Sequence, residues 1–419
     1  MSAFSRNGGV LGVDGVPLER IAEQFGTPCY VYSRASIESA FRDFDEGLGG
    51  VDHLVCYAVK ANSNIAILDV LQRLGAGFDI VSGGELKRVL AAGGRADRVI
   101  FSGVGKSEAE MREGLAAGIR CFNVESEPEL ERLNAVARSM GRRAPVSLRI
   151  NPDVDARTHP YISTGMAGNK FGIPHARAVE AYRKAAALAH LEVAGIGCHI
   201  GSQILESAPL EEALERVLEL VGRINSEGIA LHHLDLGGGF GIRYRDESPI
   251  DVRAYCRRLA TRLKDCGMQV MLEPGRAIVG AAGALVTRVE YLKLDKAKRF
   301  AVVDASMSEL IRPALYEAYH EIVPVRARDG GTATYDVVGP VCESADVLGF
   351  DRELAIREGD LLAILSAGAY AMAMASNYNS RPRPPEVLVD GGKSLLVRER
   401  ESAASLFSAE KRLADAPAK

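Results

Sequence analysis

Between Leu54 and about Gly275 the chain alternates eight short β-rich runs with amphipathic helical stretches, over roughly 220 residues, the count and size of a (β/α)8 barrel. The runs are Leu54 to Val59, Phe78 to Val81, Val99 to Ser102, Cys121 to Val124, Val146 to Ile150, Gly195 to His199, Leu234 to Leu236 and Val270 to Leu272. Between them, stretches such as Ile65-Ala66-Ile67-Leu68-Asp69-Val70-Leu71 and Pro128 to Met140 carry apolar residues at helical spacing. Ser126-Glu127-Pro128-Glu129 opens one helix with a cap, acidic residues and an early proline, and Gly141 closes it. An open doubly wound sheet is the competing architecture, and its dinucleotide form places G-x-G-x-x-G after the first strand. Lys60-Ala61-Asn62 stands there instead. The expected fold class is therefore α/β with a (β/α)8 barrel.

After about Ile278 long amphipathic helices stop. Leu285 to Val289, Arg299 to Val303, Tyr335 to Val338, Leu361 to Leu365 and Glu386 to Val389 are β-like runs separated by turn residues. The expected organisation is a barrel over residues 35–278 and a mainly β C-terminal domain over 279–419, with 1–34 packing on the latter. Cys29-Tyr30-Val31-Tyr32 reads as a strand that fits either the barrel edge or the late strands. The tail after Glu401 is rich in Ala, Ser and Lys and is expected to fray.

Composition narrows the function classes. A chain of 419 residues exceeds one small core, and its net charge of -4 gives no reason to expect nucleic acid or an anionic membrane as partner. The N-terminus lacks a charged-then-apolar signal layout, and no run reaches membrane-spanning length. Seven cysteines, an odd number, show no metal-site or redox spacing, which points to a reducing cytoplasm and no metal.

In a barrel the strand ends converge on one mouth, where active sites sit. Here they bring Lys60, Ser82, Ser102, Glu125, Arg149 with Asn151, His199, Gly237-Gly238-Gly239, and Glu273 with Arg276. A lysine ending a buried strand is either a satisfied structural cation or an amine whose pKa desolvation lowers towards nucleophilic use. Glycines after the seventh strand let backbone N–H groups approach a phosphate, or simply permit a positive-φ loop. Glu273 can hold a ring nitrogen protonated and Arg276 can clamp a carboxylate with its planar fork; a structural Glu–Arg pair is the plainer alternative. His199 is either a satisfied core residue or a stacking partner for a ring. Cys198 alternates to the other side of the strand and reads as packing.

In the β domain, Gly339-Pro340-Val341-Cys342-Glu343-Ser344-Ala345-Asp346 is a turn bearing a thiol beside a carboxylate. Arg312 and Tyr316 share one helix face behind Pro313 and can grip one anionic group. Tyr370, among small residues, is either core or a phenol offered to a phosphate. One chemistry uses a lysine amine, a phosphate loop, a carboxylate for a ring nitrogen and a stacking imidazole together. It is that of pyridoxal 5′-phosphate acting on an amino acid.

These motifs resemble a known family, the barrel-type pyridoxal-phosphate decarboxylases, and within it the branch acting on meso-2,6-diaminopimelate. The matching segments are Tyr57-Ala58-Val59-Lys60-Ala61-Asn62, Cys198-His199-Ile200-Gly201-Ser202-Gln203, Asp235-Leu236-Gly237-Gly238-Gly239-Phe240-Gly241, Glu273-Pro274-Gly275-Arg276, Ile311-Arg312-Pro313-Ala314-Leu315-Tyr316 and the Cys342 turn. The resemblance implies that Lys60 carries the cofactor, with His199 stacked on its ring and Glu273 facing its pyridine nitrogen. It implies that Gly237, Gly238, Gly239 and Tyr370 hold the phosphate, with Gly275 and Arg276 also on the cofactor. Arg276, Arg312 and Tyr316 are implied to bind the distal carboxylate of the substrate, where Tyr370 also reaches. Glu343 would receive the distal ammonium and Cys342 would protonate the carbanion. In this family the Cys342 and Glu343 positions come from the second subunit, so a homodimer with shared sites is implied. The implied reaction yields L-lysine and carbon dioxide, the last step of lysine synthesis. A related ornithine, arginine or polyamine-precursor decarboxylase is the nearest alternative, opposed by Glu343 after Cys342 and by the lack in such substrates of a second carboxylate for Arg276 and Arg312 to bind. A racemase of this fold lacks the Cys342-Glu343 segment, and an inert regulatory homologue is opposed by retention of Lys60 and Cys342. One departure stands out: Ser306 occupies a place where the family suggests glycine.

Overall fold

The computed structural model describes residues 3–155, 170–295 and 298–416. It divides into two compact units, Ser36–Gly280 on one hand and Met1–Ala35 with Ala281–Lys419 on the other.

The first unit is a closed parallel barrel. Its strands are β1 (His53–Ala58), β2 (Gly77–Ile80), β3 (Val99–Phe101), β4 (Cys121–Val124), β5 (Ala144–Asn151), β6 (Leu191–Gly197), β7 (His233–Asp235) and β8 (Gln269–Leu272). Each pairs with the next, and β8 returns to β1 with Val270 opposite His53 and Leu272 opposite Val55. Several of the helices between the strands begin where a short polar side chain caps the N-terminus. Asn64 accepts from Ala66 N–H, Ser82 from Glu85 N–H, Ser126 from Glu129 N–H, and Ser107 forms a full capping box with Glu110. All eight expected runs are strands. The one displaced is β6, which begins at Leu191 and ends two residues before His199. A bulge between Val193 and Gly195 and the exposed Glu192 break its alternation, which hid its first half from the sequence pattern.

Leu54, Cys56, Ile100, Cys121 and Met271 form an apolar cluster within the barrel strands. Polar residues also lie buried on these strands: Asp79, Asn123, Ser147 and Asp235. Buried polar groups need partners, and Asp79, Asn123 and Asp235 find them in one another's neighbourhood, whereas Ser147 Oγ has none among the described residues.

The second unit is mainly β. Its long strand Gly283–Leu294 pairs with Cys29–Ser33 on one side and Leu361–Ile364 on the other, then bulges at Val289/Tyr291 and continues beside Arg299–Val303. Cys29–Ser33 therefore joins the late strands, and it also lies parallel to Glu386–Asp390. Sequence patterning missed Ile322–Pro324, Val347–Leu354, Lys393–Arg398 and a small N-terminal sheet of Phe4–Asn7, Val10–Val13 and Val16–Pro17. These strands are two to eight residues long, and Lys393–Arg398 has no buried face to impose alternation. Beyond Glu401 the chain makes two largely exposed helical turns, Ala403–Leu406, capped by Ser402, and the 3₁₀ turn Leu413–Asp415, where fraying was expected. No helix among the described residues is long and apolar enough to cross a membrane.

Candidate active site

Lys60 lies just past β1 in the 3₁₀ turn Val59–Ala61. Its Nζ donates to Asp79 Oδ2 at 2.5 Å, and Asp79, on β2, is fully buried. Asp79 Oδ1 has no hydrogen-bond partner among the described residues. A second buried lysine shows what a structural one looks like here. Lys106 Nζ donates to the carbonyls of Gly103 and Asn123 and to Glu129 Oε1, at 2.7–2.8 Å, which saturates its three donors. The Lys106 side chain is 1% exposed, whereas that of Lys60 is 38% exposed. Of the two, Lys60 is the amine a ligand can reach.

Asp235 ends β7 and Glu273 follows β8. Asn123 Nδ2 donates to Asp235 Oδ2 and Glu273 Oε1, each at 3.3 Å, and to Ser102 Oγ at 3.1 Å. The Gly237 N–H adds a bond to Asp235 Oδ1 at 2.9 Å. Burial, then the neighbouring Asp235 and Asp79, push the Glu273 carboxyl well above the usual carboxylate range, and the two acids share a hydrogen bond. Burial raises Asp235 as well, but Asp235 receives the additional backbone donor, which favours Asp235 as the charged partner of the pair. Glu273 is then a carboxyl able to meet a basic ring nitrogen and pass it a proton.

His199 Nδ1 accepts the N–H of Gly238 at 3.2 Å. Burial, with the positive Arg149 and Lys60 nearby, pushes its pKa well below the ordinary value, so the imidazole is neutral. A neutral face suits stacking. The glycines after β7 are required by close approach as well as by φ. A Cβ at Gly238 would fall on the Glu273 carbonyl, and one at Gly239 (φ 95°) on the Gly201 carbonyl. The N–H groups of Gly237 and Gly238 are engaged by Asp235 and His199. No described residue accepts from those of Gly239 or Gly275. Arg276 is buried, with Nη1 donating to Tyr244 Oη at 2.6 Å and Nη2 to Ser202 Oγ at 2.9 Å. Of the other strand-end residues, Ser82 is a helix cap, and Glu125 is held by Arg149 and by the N–H groups of Gly103 and Gly172.

In the β unit, the Arg312 guanidinium carbon lies 5.8 Å from the Tyr316 ring centroid, on the short helix Arg312–Tyr316. Cys342 and Glu343 project from an exposed turn, and Cys342 is the one exposed cysteine of the seven. Asp346 pins that turn, accepting the N–H groups of Val341 at 2.8 Å and Met307 at 2.6 Å. Asn379 Oδ1 accepts the Cys342 N–H at 3.0 Å. Tyr370 is half-buried at φ 54°. Ser306 causes no backbone strain: it is buried, and both its N–H and Oγ bond Glu309 Oε2 at 2.7 Å.

Residues 34–280 match the pyridoxal binding domain of the pyridoxal-dependent decarboxylases. The diaminopimelate decarboxylase of Vibrio cholerae is 57% identical over 96% of this chain and 97% of its own length. That of Pseudomonas aeruginosa is 57% identical over 98% and 99%. This chain belongs to the diaminopimelate decarboxylase family. The structure of the Helicobacter pylori enzyme complexed with L-lysine superposes with a TM-score of 0.90 at 41% identity, over 94% of this chain and 99% of that one. The M. jannaschii enzyme in co-complex with L-lysine gives 0.93 at 36% identity, over 98% of each.

The barrel residues fit the family's cofactor, pyridoxal 5′-phosphate. Lys60 offers an accessible amine, Glu273 a carboxyl for a ring nitrogen, His199 a neutral ring face, and Gly239 and Gly275 amide donors for a phosphate. Sequence reasoning missed Asp79, Asn123 and Asp235, which place and charge the residues it found. A charged or amide side chain inside an apolar run, as in Phe78-Asp79-Ile80, was the available signal.

The close packing at Gly238 yields a direct expectation. Gly238→Ala forces the loops after β7 and β8 apart, and overpacking of this kind costs about 1–3 kcal/mol. Its melting temperature should fall and cofactor should be lost on dialysis. A variant as stable as the wild type and equally yellow would refute this reading.

Proposed function

We propose that this chain is a pyridoxal-phosphate enzyme that converts meso-2,6-diaminopimelate to L-lysine and carbon dioxide, working in the cytoplasm as a homodimer. The observation that carries the reading is 57% identity to diaminopimelate decarboxylases along nearly the whole chain, with the Lys60, His199 and Glu273 set at one barrel mouth. When bound, the cofactor supplies a carbonyl for the substrate amine and a ring that takes up the electrons left as carbon dioxide departs.

The chain's own groups do the rest. Lys60 presents its amine beside Asp79, which holds it in place. Glu273 keeps a proton at the ring-nitrogen position and Asp235 sets which acid carries it. His199 restrains the ring face, and Gly239, Gly275 and Tyr370 receive the phosphate. Arg276, Arg312 and Tyr316 bind the distal carboxylate, Glu343 takes the distal ammonium, and the Cys342 thiol donates the proton that replaces the lost carboxylate. Cys342 and Glu343 come from the partner subunit; their exposure on a pinned turn supports this assignment.

The test is carbon dioxide release across diaminopimelate stereoisomers, ornithine, arginine and lysine. Turnover confined to the meso isomer is expected; preference for ornithine or arginine would overturn the reading. Glu343→Gln should lower kcat/KM about ten- to a hundredfold, since a hydrogen bond to a charged group contributes roughly 1.5–3 kcal/mol. Cofactor absorbance should not change. An unaltered kcat/KM in an intact dimer would remove Glu343 from the substrate site.

A further inference from the structure

His320 lies four residues beyond the helix that carries Arg312, and it is fully buried. Its place is set by strand register. Ile322 pairs with Ile364, and the Leu365 N–H donates to the Glu321 carbonyl at 2.9 Å, so His320 comes beside Leu365. There His320 Nδ1 lies 2.9 Å from the Leu365 carbonyl oxygen. A carbonyl can only accept, so Nδ1 carries the hydrogen. In a neutral ring the other nitrogen then holds a lone pair, and His320 Nε2 accepts the Arg312 Nε–H at 3.3 Å. Arg312 is itself buried. The relay thus runs from a backbone carbonyl through a neutral imidazole to the base of a guanidinium fork.

Two features of this relay bear on recognition. The acceptor engages Nε, at the base of the fork, so it fixes the plane in which both terminal amino groups lie. The acceptor is also uncharged, so this contact orients the cation without neutralising it, as an Asp or Glu in the same place would. A planar fork of fixed orientation suits bidentate binding of a carboxylate.

We propose that His320 is the positioning residue for Arg312, and that it sets the preference for a substrate bearing a second carboxylate. This rests on the reading that Arg312 binds the distal carboxylate. His320 itself touches neither substrate nor cofactor.

Two substitutions separate the halves of the relay. His320→Asn keeps an amide donor near the Nδ1 position for Leu365 but does not reach Arg312. His320→Gln extends a carbonyl to the Nε2 position and restores the acceptor. For His320→Asn the KM for meso-diaminopimelate should rise about ten- to a hundredfold while kcat stays within about threefold. Inhibition by L-lysine, which retains the distal carboxylate, should weaken by the same factor. Inhibition by 1,5-diaminopentane, which has none, should not change. His320→Gln should return both values to within about threefold of wild type.

An unchanged KM in folded His320→Asn overturns the proposal, as does equal weakening of both inhibitors. If His320→Asn does not fold, or if His320→Gln fails to rescue, His320 is structural and the proposal falls. Arg312→Met isolates the underlying reading. A raised KM there with a normal His320→Asn overturns only the role of His320, whereas a normal Arg312→Met overturns both.

Discussion

Lys60→Ala should lose turnover by at least about a thousandfold, the scale for removing a group through which the reaction passes. The protein should also lose its yellow colour after dialysis. A second effect follows from geometry. The Asp79 carboxylate is fully buried, and Lys60 donates to it at 2.5 Å. Leaving a buried polar group without its partner costs about 1–3 kcal/mol, so the melting temperature of Lys60→Ala should fall. Adding Asp79→Asn removes the stranded charge and should recover stability without recovering activity. That divergence separates the amine's chemical role from its structural one. Residual activity near wild type in Lys60→Ala would remove Lys60 from the reaction.

Cys342→Ala should depress kcat by about 10²–10⁴, the range for loss of a positioned proton donor, with little change in substrate affinity. If Cys342 serves the partner's barrel, mixing this variant with Lys60→Ala restores function. In a mixed dimer one site combines an intact Lys60 with an intact Cys342, and the other has neither. Random exchange makes half the dimers mixed, so activity should recover to about one quarter of wild type. Exchange is followed by native mass spectrometry with one variant isotopically labelled. Full exchange without recovered activity would assign Cys342 to its own subunit's site or to none.

Much of this architecture is legible in the sequence because barrel strands are buried on both faces and their helices are well capped. Eight apolar runs separated by capped amphipathic helices leave few alternatives, and the strand ends then name Lys60, His199 and Glu273 directly. What the sequence conceals is pairing across distance. Asp79 meets Lys60 only because β1 and β2 are neighbours with Ala58 opposite Asp79. Asp235 and Glu273 meet because β7 and β8 end together, and each alone looks like an ordinary acid. The turn holding Cys342 depends on Asn379, 37 residues away, and Arg312 depends on a histidine placed by a three-residue strand. Local pattern can flag a residue such as Asp79 as a polar group in an apolar run, but it does not say which residue it meets. The glycine run shows a subtler gap: its position suggested phosphate binding, yet two of its three N–H groups engage Asp235 and His199. Its absent side chains matter as much for packing the loops after β6, β7 and β8 against one another.

The most direct test of the account is where the cofactor attaches. Borohydride fixes pyridoxal phosphate irreversibly to the amine that holds it, and the modified peptide can be read by mass spectrometry. The account predicts one labelled residue per chain, Lys60, with Lys106 unlabelled because three acceptors hold its amine. Label on Lys106 or on any lysine outside the barrel mouth would contradict it.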